Sequence, residues 1–100
     1  MLLLRVMGLS RQLRDMLDQL IDDKIKEARE FRLTANTFKP LINEDIDFAL
    51  GAIVGEINGL FHHLFIAINK REMNDEELAE VYHVIRSRAS EIHSALLNIE

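Results

Sequence analysis

Three stretches of the chain repeat apolar residues at three- and four-residue steps, the spacing that gathers them on one side of an α-helix. The first runs through Leu13, Met16, Leu17, Leu20, Ile21, Ile25, Ala28 and Phe31, with Arg14, Asp18, Asp22, Lys26 and Arg29 between them. Ser10 stands before it as a cap, so a helix is expected over about 10–31. Leu2, Val6 and Leu9 keep a similar step upstream, although Gly8 weakens the join. Residues 1–9 are therefore either an apolar extension or the start of this helix. From Arg32 to Ile42 the period is lost, and Thr34, Asn36, Thr37 and Pro40 favour turns over helix. This is the one real loop expected.

Asn43 offers the next cap, with Glu44, Asp45 and Asp47 near the positive end of a helix that should reach about Lys70. Ile46, Leu50, Ile53, Ile57, Leu60, Leu64 and Ile68 fall on one narrow stripe, which is read as the core-facing side. A third helix, about 75–98, starts at Asn74 or Asp75 with Glu76 and Glu77 in its first turn. Leu78, Ile85, Ile92 and Ile99 recur by sevens, as do Tyr82, Ala89 and Leu96, which suits packing along a neighbour. Its other side, Glu76, Glu80, His83, Ser87, Ser90 and Ser94, is polar. The expected fold is an all-α bundle of three principal helices in a single domain, or four if the turn dipeptide Asn58-Gly59 breaks the second.

Composition agrees: one proline and four glycines are too few for the turns of an all-β fold, and 48 % hydrophobic residues are too many for a disordered chain. Absence of cysteine removes disulfides, thiolate metal sites and a cysteine nucleophile. The apolar N-terminus has no basic region before it and Arg5 interrupts it, so it does not read as a signal peptide. A cytoplasmic location is expected.

The second helix has a second side. Gly51, Gly55 and Gly59 lie opposite its apolar stripe, flanked there by Phe48, His62 and Ile66. Each glycine inside a helix costs about 1 kcal/mol relative to alanine, and its physical use is to let another backbone approach closely. Two occupants compete: another helix of the same chain, or a second copy of this helix related by a two-fold axis. Small domains gain much from partner burial, so an antiparallel homodimer is the expectation, with Phe48, Gly51, Gly55, Gly59, His62 and Ile66 as the self-association surface. A membrane span over 46–68 has the right length, but Asp47, Glu56, Asn58, His62 and His63 oppose it.

Charge and candidate chemistry change this picture little. Residues 1–42 carry 8 basic and 6 acidic side chains and residues 43–100 carry 4 and 11, so opposite charge can guide packing between halves or between subunits. A net charge of −5 is wrong for a dedicated nucleic-acid binder. Lys24, Lys26, Arg29, Arg32 and Lys39 form the one basic stretch that could support such a role, as an alternative. Glu80 and His83 have the Glu-x-x-His spacing of di-metal bundles, yet sit on the polar side of their helix. Glu56, His63, Glu80 and His83 meeting across subunits define a second, metal-dependent alternative. Arg86, Arg88 and His93 form arginine–histidine pairs at a frequency that chance supplies, and no phosphate loop or nucleophile elbow is present. A loop bearing Arg32, Phe38 and Lys39 is a further candidate for binding another protein. The expected function is a non-catalytic, cofactor-free interaction or regulatory module acting as a homodimer.

Overall fold

The computed structural model describes residues 8–98, which form helices joined by loops, without a strand. Expectations for Leu2 and Val6 in the first helix and for Ile99 in the third fall outside the described residues. Five segments follow one another: α1 (Arg11–Lys26), α2 (Ala28–Thr37), α3 (Asp45–Asn69), α4 (Asp75–Ser87) and α5 (Ala89–Leu97). Single loosened residues, Glu27 and Arg88, join α1 to α2 and α4 to α5.

Ser10 caps α1 as expected, its hydroxyl accepting the Leu13 N–H at 3.2 Å. Helix does not end at Phe31, however, and only residues 38–44 form the loop. The expected loop from Arg32 to Ile42 is corrected at its start by two effects. Thr34 and Thr37 donate their hydroxyls to the carbonyls of Glu30 and Leu33, each at 3.0 Å, so neither hydroxyl is left to compete for the backbone N–H groups of the helix. Ala28 and Ala35 are buried in the common core, so tertiary packing overrides local propensity.

Asn43 does not cap α3, which starts at Asp45 behind Glu44 and has no side-chain cap. Its first turn relies on Asp45 and Asp47 facing the positive helix end. α3 runs unbroken for 25 residues through Asn58-Gly59, so the break considered there does not occur. Lys70 ends it in left-handed backbone, φ 59°. α4 opens on a reciprocal cap: the Asn74 side chain accepts the Glu77 N–H and the Glu77 carboxylate accepts the Asn74 N–H, both at 2.8 Å.

Contacts between distant segments fix the directions. Glu80 reaches Leu9, Arg88 reaches Asp18, and Arg32 reaches Leu96, so α1–α2 and α4–α5 run parallel. Lys24 meets Glu56 while Arg32 meets Asp45, so α3 runs against them. The uneven charge of the two halves is thereby matched within one chain: Lys24–Glu56 (2.5 Å), Arg32–Asp45 (3.4 Å), Lys39–Asp45 (3.5 Å) and Arg14–Glu80 (3.8 Å) each join a basic residue of the first half to an acidic one of the second.

Ala49, Ile53, Ile57, Phe61 and Phe65 are the fully buried residues of α3, and they follow one another by fours. Steps of four advance roughly 40° around a helix, so the covered side drifts as the helix proceeds. Two members of the expected stripe, Leu60 and Ile68, are consequently 39 % and 46 % exposed. In α4–α5 the seam is Val81, Val84, Ile85, Ile92 and Leu96 with the stem of Glu77. Ile85, Ile92 and Leu96 fit the seven-residue rows, whereas Tyr82 is 49 % exposed because the loosening at Arg88 rephases the two segments.

Candidate functional site

Gly51, Gly55 and Gly59 are all exposed on the outer side of α3. A methyl group placed on any of them meets nothing within 4 Å among the described residues. α1, α2 and α5 cover the other side of the helix, so the glycines serve no close crossing within the described residues of the chain. Of the two occupants that the sequence allows, another helix of the same chain is thereby excluded among these residues.

α3 is long and apolar enough to cross a membrane by length and composition, yet only 22 % of its most apolar 18 residues are buried. Its inner side packs into the bundle, and its outer side is uncovered among the described residues. The ends of the glycine row are half-buried side chains, Phe48 toward one end and His62 and Ile66 toward the other. Phe48 also touches the loop: its ring lies 5.5 Å from that of Phe38, tilted by 35°. Phe38 is itself 44 % exposed. The self-association candidates and the aromatic residue of the candidate partner loop therefore form one continuous surface, a juxtaposition that sequence spacing did not reveal.

Arg32 and Lys39 have a different task. Arg32 donates to the Leu96 carbonyl at 2.5 Å and pairs with Asp45 at 3.4 Å, while Lys39 reaches the same Asp45 oxygen at 3.5 Å. Partial burial works to raise the Asp45 carboxyl, but the charges of Lys39 and Arg32 outweigh it and hold the group below the usual carboxylate range. These two cations fasten the loop to α3 and to the end of α5. Sequence reasoning missed Leu41, Leu33 and Leu97, which are 87 %, 57 % and 54 % exposed near this end of the bundle. The signal for Leu33 and Leu41 was their position in a stretch without apolar period.

The other constellations are dispersed. Glu56 accepts from Lys24, whose stem is buried and whose ammonium is raised above its ordinary pKa first by that hydrogen bond, against a smaller burial effect. Glu80 accepts the Leu9 N–H at 2.7 Å, and a side chain on Gly8 would collide with its carboxylate. Both carboxylates of the metal alternative are thus engaged in packing the bundle, and His63 and His83 stand exposed on separate helices. No group of three or more histidines and carboxylates is placed to hold a metal ion among the described residues. Of the basic stretch, Lys24, Arg32 and Lys39 are ion-paired; Lys26 and Arg29 are the members exposed without an ion pair among the described residues. At the break between α4 and α5, Arg88 binds Asp22 at 2.6 Å and Glu91 at 2.9 Å, and also donates to the Asp18 carbonyl, tying the α4–α5 junction to α1.

Comparison with known proteins finds no matching family model, no similar curated protein and no similar solved structure.

Proposed function

We propose that this chain is a non-catalytic interaction module that works as a homodimer through the outer face of α3. The observation that carries the reading is the row of three helix-interior glycines with nothing among the described residues of their own chain to pack against. Together they give up roughly 3 kcal/mol of helix propensity relative to alanine, a sizeable fraction of the 5–15 kcal/mol that stabilises a typical domain. Close approach of a second helix, inside the usual 8–10 Å between axes, returns that loss through backbone and side-chain contact. Phe48, His62 and Ile66 border the row and supply the apolar area around it.

Lipid could cover an apolar helix face as well. The bundle around α3 speaks for protein instead: α1 and α5, packed along its inner side, carry Asp18, Asp22 and Glu91, and Arg88 beside α5 binds all three. Such a charged girdle at mid-length has no place in hydrocarbon.

Light scattering on a gel-filtration column, applied to the wild type and to Gly55→Leu with circular dichroism of both, tests the reading. The expected result is a dimeric wild type and a helical, monomeric variant. A wild type that is monomeric at every concentration, or that enters neutral phospholipid vesicles instead of dimerising, overturns it.

A further inference from the structure

We draw no further inference here: the strongest candidate, the acidic cleft lined by Glu27, Glu30, Phe31 and Thr34 with Glu56 of α3, is a cluster of carboxylates beside which the buried Lys24 ammonium is already paired with Glu27 and Glu56, and no second feature among the described residues points to a ligand.

Discussion

Replacing Gly51, Gly55 and Gly59 together by alanine acts with opposite sign on the two states of this protein. On a lone chain the three new methyl groups meet nothing among the described residues, so no contact with these opposes the gain in helix propensity. That gain is about 1 kcal/mol per site, or roughly 3 kcal/mol for the three if they act independently. For a domain of this size each kcal/mol moves the melting temperature by about 4–8 °C, so the triple variant should melt roughly 12–24 °C higher in the dilute range where the chain is monomeric. In the dimer the same methyl groups stand between two closely crossing backbones and widen the crossing. Melting followed by circular dichroism across a dilution series, beside the mass from light scattering, separates the two effects. The variant should be the more stable chain when dilute and the weaker dimer when concentrated. A variant less stable than the wild type under dilute conditions would falsify the open face on α3. A variant stabilised equally at all concentrations, with unchanged association, would show that the glycines make no contact between copies.

Three further outcomes follow from the packing. Phe61→Ala removes a fully buried ring from the middle of α3 and should cost about 3–5 kcal/mol in urea unfolding, enough to populate the unfolded state; a loss under 1 kcal/mol would contradict its place in the core. The Glu77 carboxyl is held below the ordinary glutamate range of about 4.3, first by the Arg71 guanidinium and also by the Asn74 N–H, against burial that works to raise it. Its stabilisation is therefore complete above that range and is lost as pH falls through the lowered folded value; Glu77→Gln should be less stable near neutrality and show a flatter acid limb in urea titrations at several pH values, and an unchanged limb would refute the assignment. Leu41→Ser should leave stability within about 0.5 kcal/mol of the wild type, since the side chain is 87 % exposed; a larger loss would place Leu41 inside the contact between copies.

The helical class was legible because period-3.6 patterning is strong in all three stretches, and the Ser10 and Asn74 caps were legible because their side chains act on backbone within three residues. Less local features were not. Thr34 and Thr37 look like loop residues until their hydroxyls find carbonyls one turn back and Ala35 finds the core. Leu60 and Tyr82 carry the right period for burial, but a seam of four-residue steps drifts past one and a loosened Arg88 rephases the other, and both depend on where neighbouring helices lie. The glycine row could be located from spacing alone. Whether its own chain covered it could not, because that depends on which side of α3 the other helices choose. The meeting of Phe38 with Phe48 across the loop was hidden for the same reason.

The proposed contact between two copies through the exposed glycine face of α3 is tested by isotope-filtered nuclear Overhauser measurements on a mixture of labelled and unlabelled chains. Only contacts between different copies survive the filter. Signals from the α-protons of Gly51, Gly55 and Gly59 to the other copy are expected. Intermolecular signals confined to other surfaces, or none from a chain that tumbles as a monomer, would contradict it.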